Sequence, residues 1–125
     1  MPTAPSIVIL GASDKPDRAS NMLLKRLRAR GVEPVPVHPA LEMIDGVPVR
    51  KNLGEVAAKP DVLSVYLAAA RSSDLASQII ALAPRRVIFN PGAENPALEA
   101  ALSAAGIETE NACSLVLLGQ GLLTA

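Results

Sequence analysis

The sequence predicts an α/β fold of the Rossmann-like, doubly wound type, with about five mainly parallel strands in the order 3-2-1-4-5 and helices on both faces. Short apolar runs bounded by turn residues alternate with segments that carry apolar residues at helical spacing. Two of the apolar runs lack the alternation of a half-exposed strand, which is typical of central parallel strands. Hydrophobic residues make up 50% of the chain and aromatic residues only 2%, which suits helices packed closely on a buried sheet.

Five runs along the chain are predicted to be strands. The third and fourth runs are apolar on both faces and belong at the centre of the sheet. The last run, Ile107–Asn111, alternates with charged side chains, which places it at a sheet edge. The predicted strands are 6–10, 34–37, 62–67, 86–90 and 107–111.

Three helices are predicted between the strands, because each apolar stripe has a residue suited to its start and one suited to its end. The start and end residues are Ser20 and Gly31, Ser72 or Ser73 and Pro84, and Asn95 and Gly106. A turn followed by a short extended piece is predicted at 45–49, one helical turn at 53–57, and a short helix packed on the sheet within the apolar tail at 114–123.

Length and composition predict one globular domain over residues 1–125, since the chain has the common size of a single domain and no repeat or linker-like segment. The lone Cys113 cannot form an internal disulfide, which fits a reducing cytosol. The apolar run Ile7–Leu10 ends at Gly11 and is too short for a signal peptide or a membrane span. We therefore expect a soluble cytoplasmic protein without a membrane partner.

Charge and residue counts disfavour two classes of site. With 12 basic against 12 acidic residues, the chain has no general attraction to nucleic acid, and Tyr66 and Phe89 are too few aromatics for a stacking platform. One Cys and one His, Cys113 and His38, cannot make a Cys-rich zinc site, so no metal site is predicted.

A ligand site is predicted where a doubly wound sheet reverses its strand order, beyond the carboxyl ends of the strands. In the predicted order this cleft lies between the loop that follows the first strand and the loop Asn90-Pro91 that follows the fourth. Gly11 and Ala12 allow close approach of the backbone, Ser13 adds a hydroxyl, and the next helix presents free N–H groups. Lys15 and Arg18 add positive charge at the same cleft. These features predict a phosphate or diphosphate ligand.

Nicotinamide cofactors and catalysis are both disfavoured. Gly11 has no glycine two or five residues later, and the second strand ends in His38-Pro39 rather than in an acidic residue. His38 is predicted to contact a ligand or to have a structural role, since no nucleophile and orienting carboxylate accompany it in a recognisable pattern. Asp14 and Glu94 lie in the two loops but have no spacing that marks an acid and base pair. No catalytic residue is predicted.

Several segments in order carry a family resemblance over essentially the whole chain. They are Ile7–Ser13, Lys15–Arg18, Gly31–Pro39, Gly46–Val49, Arg86–Gly92, Ala105–Ile107 and Asn111–Cys113. With these segments the sequence resembles the small stand-alone CoA-binding proteins, whose fold is similar to the CoA-binding domain of succinyl-CoA synthetase alpha subunits.

The resemblance implies a Rossmann-like domain that holds CoA or acyl-CoA, or another adenine nucleotide, without catalytic apparatus of its own. By that analogy the ligand lies at the carboxyl ends of strands 1, 2 and 4. The implied cofactor-binding residues are Gly11, Ala12, Ser13, Lys15, Arg18, Ser20, His38, Pro39, Arg71, Asn90 and Pro91. With few aromatics, adenine would lie between aliphatic walls and Pro39.

The chain also departs from its relatives, which usually carry Asn-Pro-Lys after the second strand and often Arg at the end of the third. Here those places hold His38-Pro39-Ala40 and Leu67, so two contacts to a highly charged ligand are missing. Each charge-assisted hydrogen bond contributes about 1.5–3 kcal/mol, and Arg71 is the residue expected to compensate.

Two other functions stay open at this point. One is a nucleotide-dependent enzyme, or a ligase subunit that acts with a partner chain and uses His38 to accept phosphate. The other is an interaction module whose site has decayed, with the apolar tail Leu115–Leu123 buried against a second copy as a homodimer. Basic residues on the first helix and acidic residues in the final third of the chain also suit pairing of two copies.

Overall fold

A computed structural model describes residues 5–123, so six of the residues in the predicted domain 1–125, namely 1–4 and 124–125, lie outside the described part. The main sheet contains β1 (Ile7–Leu10), β2 (Pro34–Val37), β5 (Val62–Val65), β6 (Arg86–Phe89) and β7 (Glu108–Asn111). A small hairpin contains β3 (Met43–Ile44) and β4 (Val47–Pro48). The helices are α1 (Ala19–Ala29), α2 (Ala69–Ser72), α3 (Ala76–Leu82), α4 (Pro96–Ala104) and α5 (Ser114–Gly119), with 3-10 turns at Leu53–Glu55 and Ser73–Leu75.

The predicted α/β class is confirmed, because all four strand pairs of the main sheet are parallel. The strand order is β2-β1-β5-β6-β7, with β7 at the predicted edge. The predicted order 3-2-1-4-5 is therefore corrected at one place: the third strand of the main sheet, β5, pairs with β1 and not with β2.

Two prolines in β2 explain why no strand of the main sheet lies outside it. The carbonyl of Val37 accepts a hydrogen bond from Ala12 on the β1 side, whereas the carbonyl of Pro36 faces Arg50 on the outer side. Since the N–H and C=O of one residue in a strand point the same way, Pro34 and Pro36 leave the outer edge of β2 without two donors. An interior position for β2, as in the predicted order, would need those donors.

Helices cover both faces of the sheet, as predicted. On one face Leu63 and Val65 of β5 and Phe89 of β6 pack with Ile79 of α3 and Leu102 of α4. The core on the other face comes from β1, β6, α1 and α5, and includes Ile7, Ile9, Ile88, Leu23, Leu24, Leu27, Leu117 and Leu118. Every residue of β1 and β5 is buried, because these strands have neighbours on both edges and helices on both faces.

The helix ends follow the predicted punctuation in part. Gly31 and Gly106 have φ of +76° and +82° just after α1 and α4, a conformation that glycine adopts without strain. Asn95 caps α4, since its Oδ1 accepts the Leu98 N–H at 3.1 Å. The predicted cap at Ser20 is wrong: α1 begins at Ala19, and Ser20 lies inside its first turn, 4% exposed.

The second predicted helix also begins earlier than expected. The helical segment starts at Ala69 instead of Ser72 or Ser73. Both serine hydroxyls accept hydrogen bonds from Asn95 Nδ2, each at 2.9 Å. These serines therefore join the helical segment after β5 to the start of α4, and neither caps a helix.

The apolar tail packs on its own sheet. Leu117, Leu118 and Leu123 are 7%, 3% and 1% exposed and belong to the core on the α1 face. The expectation that a second copy buries this tail is corrected for these three side chains, since the chain buries them itself. Within residues 5–123, no helix is both long and apolar enough to cross a membrane.

Replacing Asn95 tests the junction between the segment after β5 and α4. We expect Asn95→Ala to lower the free energy of unfolding by about 2–3 kcal/mol, because it removes the cap of α4 and the amide that donates to the buried Ser72 and the exposed Ser73. Asn95→Ser retains a capping hydroxyl and should lose about 1 kcal/mol less. Urea unfolding followed by circular dichroism measures both; equal losses would show that the cap contributes nothing.

Candidate functional site

A cleft with a volume of about 1000 Å³ opens at the carboxyl ends of β1, β2 and β5. Its walls come from the loop after β1, the start of α1, the turn after β2, residues 51–53 and the helical segment after β5. The prediction that the loop after the fourth strand forms one wall is wrong, since β5 lies between β1 and β6. The strand order reverses between β1 and β5, and the cleft lies at that reversal.

The structure brings nine of the eleven predicted site residues together in this cleft. They are Gly11, Ala12, Ser13, Lys15, Arg18, Ser20, His38, Pro39 and Arg71. Asn90 and Pro91 are not part of its lining. A further group that was not predicted also lines the cleft, including Lys51, Asn52, Leu53, Tyr66, Leu67, Asp74 and Gln78.

Asn90 lies in the core and has a structural role. Its side chain, 2% exposed, donates through Nδ2 to Ser64 Oγ and to the carbonyl of Val65, both at 2.9 Å. Its Oδ1 accepts the Ser114 N–H at 2.8 Å. These bonds join β5, β6 and the start of α5, while Pro91 is exposed in the turn that follows. Asn90 and Pro91 therefore lie outside the cleft that holds the other predicted site residues.

Gly11 is required where the loop after β1 meets the loop after β5. Its φ is +86°, and a Cβ placed there would lie 2.9 Å from Leu67 Cδ2 and 3.3 Å from the Leu67 backbone nitrogen. The Tyr66 N–H donates to the Leu10 carbonyl at 2.9 Å, which extends the ladder between the two strands. Gly11 thus allows both the turn and the close contact that forms the floor of the cleft.

The start of α1 presents unused donors to the cleft. The amides of Ala19 and Ser20 donate to no partner in the described part of the chain. Lys15 and Arg18 are exposed and make no side-chain hydrogen bond or ion pair within residues 5–123. Free N–H groups, the positive end of the helix dipole and two cations favour an anion here.

Side-chain hydrogen bonds hold the loop after β1 in shape. Ser13 Oγ accepts the Lys15 N–H at 3.1 Å, so this hydroxyl helps to form the loop itself. Asn21, which is 1% exposed, donates through Nδ2 to the Ser13 carbonyl at 2.9 Å and to Asp45 Oδ2 at 3.1 Å. Since Asp45 belongs to the turn between β3 and β4, Asn21 fixes the loop and this hairpin relative to each other.

His38 closes the turn after β2. Its Nδ1 accepts the N–H groups of Ala40 and Leu41, each at 3.0 Å. With Nδ1 used as an acceptor, the neutral ring carries its hydrogen on Nε2, which leaves a donor for the cleft. These two hydrogen bonds give His38 a structural role, which is one of the two roles predicted for it.

Tyr66 is one of the residues that line the cleft, and its side chain packs against the core on the α1 face. Its hydroxyl is buried and has no hydrogen-bond partner among the described residues. Burial raises the pKa of the phenol to about 12, and the nearby hydroxyls of Ser64 and Ser114 partly oppose this shift. The sequence placed Tyr66 inside a strand, but β5 ends at Val65 and Tyr66 begins the wall after it.

Comparisons with known proteins identify relatives of this chain. A protein-family model described as a CoA binding domain matches residues 5–119. The uncharacterized protein YneT of Bacillus subtilis (strain 168) is 35% identical over 60 residues, which are 48% of this chain and 44% of that protein. The chain therefore aligns with less than half the length of this curated relative.

Solved structures share the fold. The crystal structure of an uncharacterized protein is 31% identical with a TM-score of 0.86, and the match covers 97% of this chain and 99% of that one. The dinucleotide-forming acetyl-coenzyme A synthetase 1 of Ca. Korarchaeum cryptofilum, solved with phosphate and ADP, is 17% identical with a TM-score of 0.72. That match covers 86% of this chain and 25% of the synthetase, and it shows a common fold alone.

Replacing Gly11 with alanine tests its close contact with Leu67 at the floor of the cleft. We expect Gly11→Ala to lower the free energy of unfolding by about 2–3 kcal/mol, because it adds a steric clash to the cost of a positive φ. The control Gly92→Ala, at φ +90° with no atom within 4 Å of the added Cβ, should cost only about 1–2 kcal/mol. Adding Leu67→Ala to Gly11→Ala should recover part of the difference in a denaturation series. Equal losses for the two alanine variants would exclude the clash.

The buried phenol makes stability fall at high pH. Tyr66 ionises near pH 10 when unfolded and near pH 12 when folded, so the unfolded state loses its proton first and stability decreases as the pH rises through that window. We expect a loss of about 1.4 kcal/mol between pH 9 and pH 11. Between pH 9 and pH 11, the free energy of unfolding of Tyr66→Phe should fall by about 1.4 kcal/mol less than that of the unchanged protein, as measured by urea unfolding. As Tyr66 is the sole tyrosine, absorbance of the folded protein reports its titration directly; a midpoint near pH 10 would contradict the burial effect.

Proposed function

Because this chain belongs to the CoA binding domain family, we propose that it binds CoA or acyl-CoA in the cleft at the carboxyl ends of β1, β2 and β5, without a catalytic step of its own. The observation that carries this proposal is the start of α1, where two amides and two cations that have no partner within residues 5–123 line one cavity. CoA carries a diphosphate in the middle of an extended molecule, and this end of the cleft suits that group.

The diphosphate would lie against the loop after β1. Gly11 and Ala12 keep that loop free of large side chains, while Ala19 and Ser20 offer backbone N–H groups. Arg18 can donate two parallel hydrogen bonds to phosphate oxygens. Each charge-assisted bond of this kind contributes about 1.5–3 kcal/mol, so a few of them account for micromolar affinity.

The remaining surface of the cleft suits the apolar parts of the ligand. Leu41, Leu67 and Leu75 are half-buried and line the cavity, together with the more deeply buried Leu53 and with Tyr66. A volume of about 1000 Å³ is at the upper end of the range for small-molecule sites, which suits a nucleotide joined to a long arm. Adenine and the pantetheine arm would be held here mainly by burial of apolar surface.

The bonding of His38 supports a binding role over a catalytic one. A general base needs a free ring nitrogen that faces the substrate, but Nδ1 already accepts two backbone N–H groups. The other nitrogen, Nε2, is then a donor in the neutral ring. In this proposal His38 donates a hydrogen bond from Nε2 to the nucleotide.

Titration calorimetry with CoA tests the proposal. We expect the unchanged protein to bind CoA, and Arg18→Met to bind it about tenfold more weakly or worse, because one charge-assisted contact to phosphate is lost. The matched control is Arg26→Met, which removes an exposed cation of α1 that lies outside the cleft and has no side-chain partner within residues 5–123. It should leave affinity within about twofold.

Two results would count against CoA binding in the cleft. One is the absence of both heat and thermal stabilisation with the unchanged protein at millimolar CoA. The other is equal weakening by Arg18→Met and Arg26→Met, which would indicate general charge attraction and not a contact in the cleft.

A further inference from the structure

Two further cations line the cleft and come from segments other than the loop after β1 and the start of α1. Lys51 follows the β3–β4 hairpin, and Arg71 lies in α2. Both are exposed, and neither makes a side-chain hydrogen bond or ion pair within the residues that the structure describes. The three ion pairs found in that part of the chain all lie outside the cleft and join Lys25 to Asp45, Arg85 to Asp61 and Arg86 to Glu110.

The backbone fixes Lys51 beside the end of β2. Its neighbour Arg50 forms a parallel bridge with Val37, donates to the Pro36 carbonyl and accepts from the His38 N–H, both at 2.9 Å. On the other side the Lys51 N–H donates to Glu55 Oε1 at 3.1 Å. Although its side chain is free, Lys51 therefore starts from a well-defined position next to the turn that holds His38.

The end of the second strand is where a doubly wound sheet holds the ribose of an adenine nucleotide. A carboxylate at this place accepts hydrogen bonds from free ribose hydroxyls, whereas a cation accommodates a phosphate on the ribose. Of the two carboxylates in the lining, Asp14 comes from the loop after β1 and Asp74 from the segment after β5. Lys51 is thus the charged side chain of the lining that lies beside β2.

We propose that Lys51 binds the 3'-phosphate on the ribose of the ligand, so that the cleft selects CoA over dephospho-CoA. This inference rests on the proposed function, because it takes the diphosphate to lie at the start of α1. The diphosphate and the 3'-phosphate, which are both attached to the ribose, then meet different cations of the lining. Lys51 is a specificity residue in this scheme, while Lys15 and Arg18 contribute to binding of either ligand.

The experiment is calorimetry of four proteins, each with CoA and with dephospho-CoA, in one buffer of fixed ionic strength. They are the unchanged chain, Lys51→Met, Arg71→Met and Lys59→Met. Lys59 is the matched control, since it is an exposed lysine outside the cleft. We expect Lys51→Met to weaken CoA by about tenfold or more and to leave dephospho-CoA within about twofold. Lys59→Met should keep both affinities and their ratio.

The outcomes separate this inference from the proposal on which it rests. If the unchanged chain binds neither ligand, the proposed function fails and the role of Lys51 fails with it. If it binds both but Lys51→Met keeps the same ratio of affinities, the inference alone is overturned. It is also overturned if Arg71→Met, and not Lys51→Met, removes the preference for CoA. Circular dichroism of each variant shows that a lost preference is not a loss of fold.

Discussion

Two missing backbone donors in β2 determine where the site lies. Pro34 and Pro36 cannot donate from the outer edge of the strand, so β2 ends the main sheet on that side and β5 pairs with β1. The strand order then reverses between β1 and β5, which sets the position of the cleft. The same outer edge still offers the Pro36 carbonyl, and Arg50 uses it, which brings Lys51 to the end of β2. The two prolines of β2 therefore explain both the edge of the main sheet and the position of Lys51 at the cleft.

Local patterns in the sequence were sufficient to predict the helices and strands, but not which elements lie next to one another. The five apolar runs and the Asn95 cap depend on contacts close in sequence, and the structure contains them. The order of strands could also have been inferred, because Pro-Val-Pro-Val indicates an edge strand. Asn90 was different: its place in a loop after a strand suited a ligand contact, while its actual partners come from 24 to 26 residues away.

The same limit applies to the side of the cleft that the sequence missed. Lys51 lies at the cleft because its neighbour Arg50 forms a single parallel bridge with Val37, and no periodic pattern in the sequence predicts that bridge. Tyr66 enters because β5 stops after four residues, although its apolar run continues to Leu67. Eight of the nine predicted residues in the cleft lie there because the loop after β1 and the turn after β2 follow neighbouring strands in either strand order. The ninth, Arg71, follows β5 and lies in the cleft because β5 pairs with β1.

The cleft combines a fixed backbone with free charges. Its floor is held by the ladder between β1 and β5 and by the contact of Gly11 with Leu67, while the cations on its walls have no partner in the described protein. Exposed ion pairs contribute only about 0–1 kcal/mol, so leaving these cations unpaired costs little stability. Their full charge is then available to the phosphate groups of the proposed ligand.

Asn21 connects the loop after β1 to the β3–β4 hairpin. Its amide holds the carbonyl of Ser13 in the loop after β1 and the carboxylate of Asp45 in the β3–β4 hairpin, and Arg28 of the same helix donates to the Asp45 carbonyl at 2.7 Å. The hairpin precedes Lys51 in the chain. A movement of the loop after β1 or of the hairpin therefore disturbs the hydrogen bonds of Asn21. Because Asn21 is 1% exposed, such a movement is opposed by the loss of both amide bonds inside the protein. The spacing between the two proposed phosphate positions therefore depends on buried contacts of the fold as well as on flexible side chains.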